Sequence, residues 1–202
     1  MAFYQGYVVL PTNNYLAWKN AVAGNGYDAD YQYGDQCWDL CAEFWYNIGF
    51  PQGFPHTGPN HSVYECWTVS RTENTAYNGT VYFDQINSMN DVKQGDVIVW
   101  DQHGSYTNGH IGFADEDYDG SGTIAVLGQN QGSGGTPPPV SNPDGGTTAN
   151  VKKLNTAYFL GAFRYKEWHT PPTPPTPTTS KKRFPWVLYT RKLNQKRNGF
   201  MI

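Results

Sequence analysis

The sequence contains no long apolar run and few cysteines. Across its 202 residues, no apolar stretch is long enough to cross a membrane as a helix. The opening, MAFYQGYVVLPTNN, lacks the basic segment and the apolar core of a secretory signal, so we expect no signal peptide. The three cysteines include no CxxC pair, which argues against a disulfide framework and a zinc site. The length predicts one domain with appendages, and the 22 Gly and 14 Pro favour strands and loops.

Acidic residues are missing from the last part of the chain. Residues 171–202 hold 7 of the 14 basic residues and no acidic one, whereas all 17 acidic residues come earlier. Between the two parts, TPPTPPTPTTS favours extended polyproline II and cannot form a packed core. We therefore predict a globular domain at 1–168, a Pro/Thr-rich linker at 169–180 and a basic aromatic tail at 181–202.

The tail combines its positive charge with Phe184, Trp186 and Tyr189. This composition suits an anionic polymer or a membrane surface, such as teichoic acid or lipid headgroups. We expect no nucleic-acid partner. A disordered end that only improves solubility is the alternative.

Hydrophobic periodicity within the domain predicts helices followed by strands. CWDLCAEFWYNIGF (37–50) carries apolar residues at i, i+3 and i+4 spacing and has Gly49 at its end, which predicts a helix. A shorter helix is predicted in NNYLAWKNAVAG (13–24). Strands are predicted at 95–100, 110–115, 122–130 and 156–165, with an irregular loop at 132–150. Helices followed by antiparallel strands indicate an α+β fold.

Three residues have the chemistry of a nucleophilic site. Cys37 lies at the start of the predicted helix, where unpaired N–H groups favour an anion and lower the pKa of a thiol. His110 opens a strand after a turn, in a position that we expect to be exposed and rigid. Asn130 ends the next strand, and antiparallel pairing would bring it beside His110. A Cys–His–Asn set performs acyl transfer, with the amide oxygen orienting the imidazole.

Four motifs make this interpretation specific. DQCWDL, KQGDVIVW, GHIGFA and VLGQNQG follow each other in the order of the CHAP family (cysteine- and histidine-dependent amidohydrolases/peptidases). Residues 15–165 resemble the catalytic domains of phage endolysins in this family. The resemblance implies a papain-like fold, with N-terminal helices packed on an antiparallel sheet. It also implies that Cys37 is the nucleophile, His110 the general base, Asn130 the orienting group and Gln36 a part of the oxyanion hole.

The sequence departs from the family pattern at Gly128. Some relatives carry a carboxylate there, two residues before the asparagine. The orienting role therefore falls on Asn130, with Gln129 as a substitute.

The resemblance implies a peptidoglycan hydrolase that cleaves an amide bond of the Gram-positive cell wall. It would be an N-acetylmuramoyl-L-alanine amidase or an endopeptidase. We expect a monomer that is made in the host cytoplasm and acts on the wall, or is carried on the virion. Two alternatives remain: a hydrolase of the same fold that acts on other amides, and a non-catalytic carbohydrate-binding module, which the 7 Trp and 15 Tyr suggest.

Carboxylates surround the predicted nucleophile in DADYQYGDQCWDL (28–40), and they should raise the pKa of its thiol. The stretch has the ligand spacing of a twelve-residue calcium loop, in which position 7 supplies a carbonyl. It departs from that loop at Tyr33, where Gly is usual, and in its closing Asp. Several endolysins of the CHAP family are similar here and bind calcium. The predicted ligands are Asp28, Asp30, Gln32, Gly34 and Asp39.

Calcium would neutralise these carboxylates and offset their effect on Cys37. The alternative is a solvated acidic turn. Asp35 is left out of the ligand set, and we expect it to face solvent. The stretch DEDYDGSG (115–122) also has an acidic pattern, but Val126 stands at its closing position, so we predict a hairpin turn.

The remaining histidines and cysteines have weaker signals. His103 is a rival base, whereas His56 and His61 lie in a Pro/Gly-rich loop and are expected at the surface or the substrate rim. Cys41 and Cys66 are expected to be inert.

Overall fold

The fold was obtained as a computed structural model that describes residues 3–5, 9–32, 34–104, 106–131 and 147–170. The helices are α1 (Tyr15–Val22), α2 (Cys37–Asn47), α3 (Glu65–Ser70) and α4 (Lys166–His169), with a 3₁₀ turn at Met89–Asp91. The strands are β1 (Phe3–Gln5), β2 (Gly26–Asp28), β3 (Phe83–Ile86), β4 (Val97–Trp100), β5 (His110–Ala114), β6 (Thr123–Gly128), β7 (Asn150–Asn155) and β8 (Phe159–Tyr165).

Six of the strands form one sheet in the order β3-β8-β4-β5-β6-β7. Every neighbouring pair in this sheet is antiparallel, whereas β1 and β2 form a separate parallel pair. The helix α2 packs on the central strand β5. The predicted α+β class, with N-terminal helices on an antiparallel sheet, is confirmed.

The core fills both faces of the sheet. On β4, Val97 and Val99 join the cluster on the helix side, while Ile98 and Trp100 join a second cluster on the opposite side. This alternation follows from the two-residue period of a strand, and burial on both faces explains the continuous apolar run VIVW. The sheet therefore holds its central strands rigidly on both sides.

Phe44 anchors α2 to the sheet. Its ring lies 5.0 Å from the ring of Trp18, 5.3 Å from that of Phe113 and 4.7 Å from that of Trp168, measured between centroids. Removing such a buried ring typically costs about 3–5 kcal/mol. Because Phe113 belongs to β5, this packing holds α2 against that strand.

Local signals at the ends of the helices match the predicted bounds. Asn14 caps α1 by accepting a hydrogen bond from the N–H of Ala17 at 2.8 Å. Asp39 accepts from the N–H of Gln36 at 2.8 Å, which satisfies a donor at the start of α2. Gly49 has a φ of 97°, a value that favours glycine and ends the helix. The two predicted helices are confirmed.

The four predicted strands correspond to β4, β5, β6 and β8. The structure adds α3, α4, β1, β2, β3 and β7, which the sequence did not predict. Of the predicted irregular loop, 132–146 lie outside the described residues, and β7 begins at its last position, Asn150. Among the described residues, no helix has the length and apolar character that crossing a membrane requires. The predicted linker beyond Thr170 and the tail at 181–202 lie outside the described residues.

Candidate active site

Cys37 is the first residue of α2, as predicted, and it is buried. The N–H groups of Ile111, Cys37 and Trp38 point at its sulfur and favour the thiolate. Burial has the larger effect and raises the pKa of the thiol to about 12, and Asp39 also raises it. The thiol is therefore neutral at rest, and burial outweighs the acidic surroundings as the reason.

His110 is the first residue of β5 and lies opposite Trp100 on β4. Its ring is 5.0 Å from that of Tyr106 and 5.7 Å from that of Trp100. The expectation of an exposed position is wrong: the side chain is only 1% exposed. Burial, with a smaller effect from His103, lowers the pKa of His110 to about 4, so the imidazole is neutral at neutral pH.

Gly109 allows the chain to enter β5 at this point. Its φ is 75°, and a Cβ there would lie 2.5 Å from the carbonyl oxygen of Trp100 and 2.8 Å from the Cβ of Tyr64. Only glycine fits such a close approach. In the GHIGFA motif, glycine at position 109 is therefore required by packing, and histidine at position 110 by chemistry.

The amide that contacts His110 belongs to Gln131 rather than to Asn130. Nε2 of His110 lies 3.4 Å from Oε1 of Gln131. Asn130 instead donates from Nδ2 to Oε1 of Gln36 at 2.7 Å. The pairing between β5 and β6 ends at Phe113 and Leu127. Asn130 has a φ of 54°, so the chain turns away there and does not continue the pairing as far as His110. The sequence therefore placed the amide one residue too early.

Gln129, the predicted substitute, joins three parts of the chain. Its Oε1 accepts from the N–H of Tyr27 at 2.9 Å, and its Nε2 donates to the carbonyls of Tyr27 at 2.8 Å and Gln36 at 3.1 Å. These bonds attach the end of β6 to β2 and to the residue before Cys37. Gln129 thus holds the residues around the nucleophile in place.

Cys37, His110, Gln36 and Asn130 all line one cavity of about 580 Å³. Trp38, Tyr106 and Val63 supply apolar surface in its wall. The predicted nucleophile and the predicted base therefore face the same cavity, which is large enough for part of a polymer chain.

Three of the predicted calcium ligands lie together. Asp28, Asp30 and Asp39 each offer a carboxylate oxygen, and these oxygens lie within 4.8 Å of one another. Burial raises the pKa of Asp39 to about 8, and burial also raises the pKa of Asp30, with neighbouring carboxylates adding to both effects. Oδ1 of Asp28 is buried, and no hydrogen-bond partner for it lies among the described residues. Gln32 lines the same cavity, and its N–H donates to Oδ1 of Asp30 at 2.8 Å.

Asp39 also has a structural role. Its two oxygens accept from the N–H groups of Ala29 at 2.9 Å and Gln36 at 2.8 Å. This explains its burial without a metal, but it does not explain why Asp28 and Asp30 lie beside it. Carboxylate oxygens are the ligands that Ca²⁺ prefers, so the donor set fits that ion.

The expectation that Asp35 faces solvent is wrong. The residue is 5% exposed, and its carboxylate occupies the space that a side chain at Gly26 would fill. Burial, and after it the charge of Asp28, raises the pKa of Asp35 to about 6. The absence of a side chain at Gly26 is what admits the carboxylate.

Four further histidines and cysteines named in the sequence analysis have other surroundings, and one more, His61, shares the cavity. His103 stacks on Tyr158, with ring centroids 4.1 Å apart, and its Nδ1 lies 3.0 Å from the carbonyl of Asp101. His61 lines the cavity, in agreement with a rim position, and His56 pairs with Glu73. Cys41 and Cys66 are buried, which raises the pKa of both thiols.

The acidic stretch 115–122 connects β5 and β6 as a turn. Asp115 accepts from the hydroxyl of Tyr15 and from Nζ of Lys19, both at 2.7 Å. Its carboxylate therefore joins α1 to the turn.

Comparisons with known proteins identify the family of the chain and proteins that resemble it. A family model described as "CHAP domain" matches residues 26–130, just over half of the chain. The D-alanyl-L-alanine endopeptidase of Streptococcus phage B30 is 34% identical over 170 residues, which cover 83% of this chain and 34% of that protein. The chain thus spans about a third of the length of this curated relative.

A solved structure shares the fold. The crystal structure of the wild-type endolysin LysIME-EF1 superposes with a TM-score of 0.54 at 24% identity. The match covers 77% of this chain and 64% of that one.

Proposed function

Since the chain belongs to the CHAP family, we propose that it is a phage peptidoglycan hydrolase that cleaves an amide bond of the Gram-positive wall with Cys37. One observation carries this proposal: Cys37 and His110 open into the same cavity from the first residues of a helix and of a strand. The 34% identity to a phage endopeptidase supports it further.

The reaction divides into two transfers of the acyl group. In the first, the sulfur of Cys37 attacks the amide carbonyl while His110 takes the thiol proton and passes it to the leaving amine. This forms a thioester and releases the amine. In the second, water attacks the thioester while His110 accepts a proton from the water and returns it to the sulfur. The products are a free carboxylic acid and the original thiol.

The negative oxygen formed in each attack needs donors in place beforehand. The N–H of Cys37 and the side-chain amide of Gln36 would supply them. Asn130 supports this role, because its bond to Oε1 of Gln36 fixes which way that amide is turned.

Cys37 and His110 are both uncharged before substrate binds, and this determines when the proton moves between them. Burial raises the pKa of Cys37 and lowers that of His110, so a thiol faces an imidazole until substrate arrives. The proton then moves as the sulfur attacks. General-base transfer of this kind typically contributes about 10²–10⁴-fold to the rate.

The name of the phage relative favours an endopeptidase that acts on the peptide part of the wall. An N-acetylmuramoyl-L-alanine amidase uses the same chemistry on a different bond and is the alternative. We propose a monomer that acts on the wall, either after synthesis in the host or from the virion.

The acidic cluster would hold calcium through Asp28, Asp30 and Asp39, with Gln32 and Gly34 as further oxygen ligands. Two observations support this assignment: Oδ1 of Asp28 has no hydrogen-bond partner in the described part of the chain, and the pKa of Asp39 is raised. A cation would contact the oxygen of Asp28 and favour ionisation of Asp39. When bound, the ion supplies positive charge and ties the 28–39 segment to the start of α2. The basic tail would add attraction to teichoic acid or to a membrane surface.

Clearing of a wall suspension tests the proposal. We expect the turbidity of purified Gram-positive walls to fall on addition of the protein and to stay constant with Cys37→Ser. Binding to walls without any clearing would instead support a carbohydrate-binding module.

A further inference from the structure

We propose that Gln131 is the positioning residue that orients the ring of His110, and that it does so through space left by the missing side chain of Gly128. The inference rests on the proposed function in that His110 is taken to be the base. The inference concerns only the orientation and the tautomer of the His110 ring, so it can be tested without any assay of activity.

The surroundings of Gln131 fix which end of its amide faces His110. Nε2 of Gln131 donates to the carbonyl oxygens of Val126 at 3.1 Å, Gly128 at 3.1 Å and Asn150 at 2.7 Å. Three acceptors around one end of an amide require the N–H₂ group there, because an oxygen in that position would repel all three. The oxygen is therefore the end that faces the imidazole. Since Gln131 is fully buried, water does not compete for these groups.

An acceptor oxygen beside Nε2 selects one tautomer of His110. A hydrogen bond across the 3.4 Å between Nε2 and Oε1 requires Nε2 to carry the proton. Nδ1 then holds the lone pair, which makes it the nitrogen that can take a proton from Cys37. Without Gln131, a neutral imidazole could carry its proton on either nitrogen, and one of the two forms is useless as a base.

Gly128 is what makes room for this amide. A Cβ at position 128 would lie 3.0 Å from the amide carbon of Gln131 and 3.1 Å from its oxygen. Such contacts would force the end of the glutamine to shift by a few tenths of an ångström, which disturbs its alignment with His110. The left-handed turn at Asn130, whose own amide is bonded to Gln36, allows the chain to bring Gln131 back to this space.

Among the described residues, Gln131 supplies the acceptor that lies within hydrogen-bond distance of Nε2 of His110. Trp100 and Tyr106 pack on the ring, and His103 acts on it as a second basic group. The bond from Gln131 raises the pKa of His110 against the larger lowering by burial. Loss of the bond should therefore lower the pKa of His110 further.

Nitrogen NMR of the full chain, labelled at histidine, tests the proposal directly, with His110→Ala assigning the signal. In the parent chain we expect the Nε2–H form of His110. In Gln131→Ala we expect a mixture of both forms, a lower pKa of His110 and a fall in kcat of up to about 100-fold with little change in KM, because a small misplacement of the base has that effect. Asn74→Ala removes a different buried amide, whose Nδ2 donates to the carbonyl of Phe83 at 3.3 Å, so the tautomer of His110 should remain as in the parent chain.

Moving the acceptor oxygen from position 131 to position 128 provides a second test of the proposal. Asn at position 128 can reach the oxygen position that Gln131→Ala vacates, so Gly128→Asn with Gln131→Ala should restore the Nε2–H form and part of kcat. Gly128→Leu with Gln131→Ala has a similar shape without an acceptor and should restore neither. An unchanged tautomer in Gln131→Ala, or equal rescue by Asn and Leu, would overturn the proposal. If the tautomer behaves as expected in a protein that does not cleave walls, the proposed function fails and the positioning role stands.

Discussion

At the scale of single residues, the catalytic proposal depends on two neutral groups that share a cavity. Cys37 has its N–H donors from α2 and β5, and His110 has its ring held among Trp100, Tyr106 and Gln131. The thiol of Cys37 becomes a nucleophile only when His110 takes its proton, so the two residues must act together.

Removing either member of this pair should stop the reaction. Cys37→Ala and His110→Ala should each lower the rate of wall clearing by roughly several hundredfold, and the double variant should be little worse, because the two act as a unit. Cys66→Ala and His56→Ala remove the same residue types elsewhere and should clear walls normally. Additive losses in the double variant would contradict the assignment.

The pH dependence should follow His110. Its lowered pKa predicts that kcat/KM on a soluble wall fragment persists at pH 5–6 and falls as the pH approaches about 4. The same shift makes folding less favourable in acid, because the unfolded chain binds a proton near pH 6.5 that the folded chain binds only near 4. Melting curves over the same pH range separate the two effects. An acid limb near pH 6.5 in a folded protein would show that the ring is hydrated rather than buried.

At the scale of elements, the sequence predicted the parts whose burial repeats regularly. The helix α2 and the strand β4 were predicted because Phe44 and the VIVW run carry strong apolar signals. In contrast, β7 was missed because Leu154 is its one fully buried side chain, and α3 is too short for a periodic pattern. The contact of Gln131 with His110 was not predictable, since it depends on a left-handed turn at Asn130 and on space at Gly128.

The 28–39 segment provides a prediction about calcium. Chelation should lower the melting temperature and the rate of clearing together, because an ion that binds only the folded chain at 100 times its Kd adds about 2.7 kcal/mol. Magnesium should restore little, since it requires tighter octahedral geometry. Alkylation of Cys37 should slow on chelation, because Asp39 would regain its effect on the thiol.

Two variants, one inside the 28–39 segment and one outside it, complete this test. Asp30→Ala should reproduce the effect of chelation and should not respond to added calcium. Asp119→Ala removes an acidic residue from the 115–122 turn and should respond to calcium like the parent chain. If chelation leaves melting, clearing and alkylation unchanged, the cluster is only an acidic turn.

At the scale of the whole molecule, the chain divides into Met1–Thr170 and Pro171–Ile202. Deleting 171–202 should leave the melting temperature and the cleavage of soluble fragments nearly unchanged, because every residue of the proposed site precedes the cut. Lysis of intact cells should fall and become less sensitive to salt, since a positive segment is lost.

Replacing the seven basic residues of 181–202 with Gln in the full chain separates charge from length. It should weaken lysis of cells as much as the deletion does. A deletion that melts much earlier would contradict the predicted domain bounds.

Mass spectrometry of digested walls tests the central claim most directly. Purified Gram-positive peptidoglycan would be incubated with the full chain or with Cys37→Ala, and the soluble fragments analysed. We predict fragments with one new amine and one new carboxylic acid for each cleaved amide, a gain of one water, and none of them with Cys37→Ala. The position of the new ends would also decide between an endopeptidase and an amidase. Intact amide bonds, or the same fragments from Cys37→Ala, would contradict the account.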